Sequence, residues 1–138
     1  MERKIILASH HHMASGLKDT VEFLAGERTD VLALDAYVDG QPIVDQVHHL
    51  IDNLPEDTEV LIFTDLLSRS VNQQFFPYRN RLHTHIISGM NLPIVLAIVL
   101  GQSDQYYTQD QIHSIICEAR SALVYVNDIP LEDDEEDE

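Results

Sequence analysis

Ile5-Ile6-Leu7-Ala8-Ser9-His10-His11-His12-Met13-Ala14-Ser15-Gly16-Leu17 and Val60-Leu61-Ile62-Phe63-Thr64-Asp65 are the two stretches that decide the fold. Each opens as an apolar run and stops abruptly in polar, chemically capable side chains. A parallel strand buried on both faces reads this way when it ends at a functional edge. In an open α/β sheet, ligands bind in the crevice outside the carboxyl ends of the strands. If both runs belong to one sheet, His10 and Asp65 meet in that crevice.

Working outward, apolar runs alternate with helical patterns. Strands are expected at residues 4–8, 31–35, 60–64 and 83–88, with a last short one at 123–126. Between them, Leu17, Val21, Leu24 and Ala25 mark one face of a helix over 13–25, closed by Gly26. Ile43, Val47, Leu50, Ile51 and Leu54 mark a second helix that opens near Pro42. A third helix fits 70–82, with Pro77 bending or interrupting it. Gly89-Met90-Asn91-Leu92-Pro93 reads as a turn into an apolar helix over 92–100. Ile112, Ile115, Ile116 and Ala119 mark a final helix over 109–122. The expected fold class is therefore α/β, an open, mainly parallel, doubly wound sheet with helices on both faces.

The chain of 138 residues fits one domain, and 44% hydrophobic residues suffice for a core. It carries 24 acids against 8 Lys plus Arg, for a formal charge of −16. Seven of the acids are residues 132–138, and setting them aside leaves −9. The domain is assigned to 1–131 and a disordered acidic tail to 132–138, because seven like charges repel and bury nothing. An acidic surface repels phosphate backbones and anionic bilayers, so neither nucleic acid nor a membrane surface is an expected partner. The longest apolar stretch, residues 92–100, is nine residues, and a membrane-spanning helix needs about 20. A single cysteine, Cys117, allows no intrachain disulfide and fits a reducing compartment. Cys117 itself reads as a packing residue. The expected location is cytoplasmic.

His10 lies between the first strand and the first helix. Helix N-terminal N–H groups and the dipole favour anions there. Asp65 can accept a hydrogen bond from one imidazole nitrogen and leave the other to attack. Ser70 can donate a hydroxyl to a phosphoryl oxygen. A histidine so held is suited to carrying a phosphoryl group. The bland alternatives are a polar strand-end residue for His10, a turn cap for Asp65 and an N-cap for Ser70. Asp35 also ends a strand, and nothing else marks it, so it reads as structural.

Ser9-His10, with Ala14 and Gly16-Leu17, resembles the first active-site segment of the mannose-type (mannose/fructose/sorbose) IIA components of the bacterial sugar phosphotransferase system (PTS). Asp65, Ser70 and Asn72 resemble that family's second segment. Gly89-Met90-Asn91-Leu92-Pro93 resembles a third, Gly-x-Asn-Leu/Ile-Pro. The resemblance covers roughly residues 4–126. It departs where the family has Gly-Gly-Ser-Pro and this chain has Ser68-Arg69-Ser70-Val71.

The resemblance implies a phosphotransferase in sugar transport, with His10 phosphorylated by the carrier HPr and a IIB component as acceptor. Asp65 would support the imidazole and Ser70 would bind the phosphoryl group. No cofactor and no metal are required, and any association with membrane permease subunits would run through IIB. The resemblance also implies a homodimer in which the short C-terminal strand pairs with the partner's sheet; pairing within its own chain is the alternative. Two other functions remain open. One is a non-catalytic regulatory or binding domain, motivated by Ser68-Arg69. The other is the phosphocarrier subunit of a dihydroxyacetone kinase system. The remaining histidines do not suggest a zinc site. His83 and His85 lie toward the start of their strand, with His83 about 16 Å from its end, and His48 and His49 read as surface residues on a helix.

Overall fold

In the computed structural model, which describes residues 1–67 and 70–131, the apolar runs form four parallel strands in the order β2-β1-β3-β4. The strands are β1 (Arg3–His10), β2 (Val31–Ala36), β3 (Glu59–Thr64) and β4 (Thr84–Ser88). Five helices connect or follow them: α1 (Met13–Ala25), α2 (Ile43–Ile51), α3 (Ser70–Phe75), α4 (Leu92–Val99) and α5 (Gln109–Ser121).

Strand periodicity divides the core. Ile5, Leu7, Leu61, Phe63 and Ile87 face α1, α4 and α5, where they meet Val21, Ile94, Val95, Ile98, Ile112 and Ala119. Ile6, Ala8, Val60 and Ile62 face the other way, onto Val47 and Ile51 of α2 and Val71 and Phe75 of α3. The central strands are buried on both sides, as their unbroken apolar runs require. Each fully buried Ile, Leu or Phe contributes about 1.5–3 kcal/mol relative to exposure.

Register places the site. Ala8 lies opposite Thr64, and His10 lies opposite Ala36. His10 and Asp65 therefore leave the sheet at the same edge from adjacent strands. The chain winds outward to β2 from β1 and to β4 from β3, so this is also the point where strand order reverses.

Several expectations need correction. The segment 123–126 is not a strand within this chain. It is irregular and runs into a short 3₁₀ turn, Val126–Asp128, with Leu123, Val124, Tyr125 and Val126 all exposed. Among the described residues no strand pairs with it, and its backbone bonds are local: the Leu123 amide donates to the Arg120 carbonyl, and the Tyr125 and Val126 carbonyls accept from the Asp128 and Ile129 amides. The helix expected over 70–82 stops earlier, at Asn80, and is interrupted at Pro77 as expected: it is two pieces, α3 and a 3₁₀ turn over Phe76–Asn80. His83 lies outside β4, at a left-handed φ of 53°, with its ring stacked on Tyr106 at 3.6 Å. Cys117 is exposed on α5 rather than packed. The acidic tail and the Ser68-Arg69 replacement lie outside the described residues.

Both later helices carry their own caps. The Asn91 side chain accepts from the Ile94 amide at 3.0 Å, with Pro93 in the first turn of α4. Thr108 and Gln111 form a reciprocal capping box on α5. Gly89 has a φ of 80° in the turn after β4, and the next amide, Met90, donates to the Thr64 carbonyl at 3.0 Å. The third family-like segment thus fastens the β4–α4 turn to the end of β3, one residue before Asp65.

Candidate functional site

At the carboxyl edge of β1, one carboxylate holds His10 twice. Asp65 Oδ2 accepts from the His10 main-chain N–H at 2.8 Å and from its ring Nδ1 at 2.8 Å. Asp65 Oδ1 accepts from the Leu66 amide at 2.9 Å. Burial pushes the Asp65 carboxyl up. The bonds from the His10 amide and ring and the Leu66 amide outweigh it and hold the group below its ordinary value. An ionised carboxylate has no proton to give, so Nδ1 carries the hydrogen and Nε2 carries the lone pair. The His10 side chain is 36% exposed and that of Asp65 10%, so the imidazole is reachable while its partner is shielded.

The depressed Asp65 value fixes the sign of a pH dependence. Its unfolded value is about 3.9, so the stability it contributes is fully present above that pH. That stability is lost as pH falls through the lower folded value. The melting-temperature gap between wild type and Asp65→Asn is expected to narrow on acidification below about pH 4. A gap that widens there would contradict the assignment.

The bend from β1 into α1 is made by His11, whose φ of 55° lies in the left-handed region. For a side-chain-bearing residue this costs about 1–2 kcal/mol. Ser9, fully buried, braces the bend: its hydroxyl donates to the His11 carbonyl at 3.0 Å and accepts from the Ala14 amide at 2.8 Å. Asp35 accepts from the Ser15 amide at 2.9 Å and from His12 Nδ1 at 3.3 Å. Asp35 thus caps α1, as its structural reading expected. This narrows one expectation, since the amides of Ala14 and Ser15 face Ser9 and Asp35.

Ser70 opens α3, and its hydroxyl is hydrogen-bonded to that of Tyr37. Tyr37 links it to the histidine: the Tyr37 and His10 ring centroids are 5.5 Å apart, with 33° between the planes. The structure therefore brings His10 and Asp65 into direct contact, and Ser70 into the same site by way of Tyr37. Sequence reading missed Tyr37. The turn residues Asp39-Gly40 marked a break after β2 but not which side chain would lean over His10. Asn72 braces the loop after β3: its side-chain oxygen accepts from the Thr64 hydroxyl at 3.0 Å, and its amide donates to the Leu67 carbonyl at 2.7 Å.

Among the described residues, no three His, Cys, Asp or Glu side chains cluster as a metal site. Nor is any helix long and apolar enough to cross a membrane.

Residues 4–116 match the family model described as PTS system fructose IIA component (EIIA-man). The chain belongs to that family. It is a IIA component of a sugar phosphotransferase system, a phosphotransferase associated with sugar transport. Solved structures agree. A protein of Klebsiella pneumoniae subsp. pneumoniae MGH 78578, described as a candidate phosphoenolpyruvate-dependent sugar PTS permease, is 32% identical, with 93% of each chain covered and a TM-score of 0.86. The PTS IIA protein associated with the fucose utilization operon of Streptococcus pneumoniae is 28% identical, covering 92% of this chain and 95% of its own, with a TM-score of 0.75. The mannose/sorbose-specific IIA subunit of Enterococcus faecalis, at 16% identity, a TM-score of 0.75 and coverage of 94% and 98%, shares the fold. No match was found among curated protein sequences.

Proposed function

We propose that this IIA component is a phosphohistidine carrier that takes a phosphoryl group from phosphorylated HPr on His10 and passes it to a IIB component in the cytoplasm. The observation that carries the reading is the double hold of Asp65 on His10, which keeps the ring proton on Nδ1 and presents Nε2. The Nε2 lone pair forms the new N–P bond as the donor's N–P bond breaks. The Nδ1 proton stays in place, and Asp65 offsets the positive charge that develops on the imidazole. Handing on the group reverses these steps. The chemistry is positioning and electrostatic stabilisation, as in phosphoryl transfer generally. Ser70 supplies a hydroxyl to the transferring oxygens. Incubation with phosphoenolpyruvate, Enzyme I and HPr tests this: the intact protein should gain one acid-labile phosphoryl group. A protein that stays unmodified while HPr is phosphorylated would refute the carrier reading and favour a regulatory domain.

We also propose a homodimer in which residues 123–126 of one copy pair with β4 of the other. β4 is an edge strand, and an open edge invites a further strand. It is flanked by clefts of about 490 and 330 Å³, the first lined by Phe76, Ile86 and Ser88 and the second by Ile87, Ile112 and Ile116. The Ser88 hydroxyl at that cleft is buried without a hydrogen-bond partner. The four exposed residues of 123–126 supply apolar side chains to that edge, and their backbone would exchange local bonds, such as that from the Leu123 amide to the Arg120 carbonyl, for ladder bonds there. Truncation after Leu131 is expected to leave a dimer with an unchanged melting temperature, and deletion of 123–138 to leave monomers or aggregates. Light scattering reads the outcome, and a monomeric full-length protein at micromolar concentration would overturn it.

A further inference from the structure

We propose that Tyr37 is a positioning residue for phosphoryl transfer, acting through Ser70. The inference rests on His10 being the phosphoryl carrier. Three observations meet at this residue. Its backbone lies in the left-handed region, φ 68°, which L side chains enter at a cost. Its ring leans over the His10 imidazole, with centroids 5.5 Å apart. Its hydroxyl is hydrogen-bonded to that of Ser70. Strained backbone of this kind persists where the surroundings over-determine it, and such places cluster at functional sites.

Counting protons gives the role. A serine hydroxyl has one hydrogen to donate and two lone pairs to accept with. If Ser70 spends its hydrogen on Tyr37, none is left for a phosphoryl oxygen. If Tyr37 donates instead, Ser70 accepts and its own hydrogen is free to turn toward the group on His10. A phenol is the stronger acid of the two types, so it is the preferred donor. Tyr37 therefore sets the direction in which Ser70 donates. The ring is a second contact, set beside the imidazole with 33° between the planes.

Tyr37→Phe separates the two contributions, because it keeps the ring and removes only the hydroxyl. The tyrosine is 46% exposed, so the isosteric change leaves the fold intact. Uptake from phosphorylated HPr is measured for wild type, Tyr37→Phe, Ser70→Ala and the double variant, with thermal melts of all four. Each single change is expected to slow uptake about tenfold, the value of one hydrogen bond to a charged group. The double variant is expected to match the slower single variant, since the phenol has nothing to direct once Ser70 is gone. Uptake at the wild-type rate in either single variant would overturn the proposal. So would a Tyr37→Phe effect of equal size with and without Ser70. Failure of the carrier reading is seen separately, as a wild-type protein that takes up no phosphate at all.

Discussion

Asp65→Asn is expected to slow phosphoryl uptake by about 10²–10⁴-fold while the protein still folds. An asparagine keeps the shape of the side chain but brings two donor hydrogens. Its NH₂ can donate to Nδ1, which moves the ring proton to Nε2 and removes the lone pair that must attack phosphorus. Its oxygen, in the place of Oδ1, can still accept from the Leu66 amide, and Ser9 still braces the bend after β1. The loss should appear as a slower rate at saturating donor. Uptake at the wild-type rate would show that the carboxylate does not set the tautomer.

The second large effect lies at the opposite end of the sheet. Glu59 is fully buried at the start of β3 and pairs with Arg3 of β1, whose side chain is 9% exposed. The Arg3 guanidinium donates also to the carbonyls of Gln102 and, at 2.7 Å, Gln105. Glu59 Oε2 accepts from the Tyr107 amide at 2.6 Å. One ion pair thus fastens two strands and the whole loop between α4 and α5. Glu59→Ala leaves a buried guanidinium and a buried amide without their partner, and is expected to destabilise the protein by about 3–5 kcal/mol. Replacing both charges by apolar residues, as in Arg3→Met with Glu59→Leu, should recover part of the loss, because no unpaired charge remains. Urea denaturation of the single and double variants measures this. A single variant within about 0.5 kcal/mol of wild type would show that the pair is not coupled to the fold.

The same contrast explains what the sequence reveals. His10 and Asp65 were legible because each ends an unbroken apolar run, and two parallel strands that end together bring their next residues together. The helices read over 13–25 and 109–122 were legible from their apolar stripes, the first also from Gly26 at its end. The Arg3–Glu59 pair was not, because a charge at the start of a buried strand looks like a solvated flank until the loop that encloses it is placed. Tyr37 was hidden for a similar reason. Its role depends on a left-handed backbone angle and on Ser70 at the start of α3 coming within reach of its hydroxyl, and neither leaves a pattern of spacing. The segment 123–126 was read as a strand from its β-branched and aromatic residues. Propensity does not bring a segment to a sheet edge, and within one chain residues 123–126 pair with neither β2 nor β4.

The central claim, that the phosphoryl group travels on His10, is tested most directly by mapping the modified residue. The protein is phosphorylated with phosphoenolpyruvate, Enzyme I and HPr, digested at neutral pH and sequenced by mass spectrometry. One phosphoryl group is expected on His10, absent from His10→Ala and retained by His11→Ala and His12→Ala. A phosphoryl group on His11, His12 or any other residue in place of His10 would contradict it.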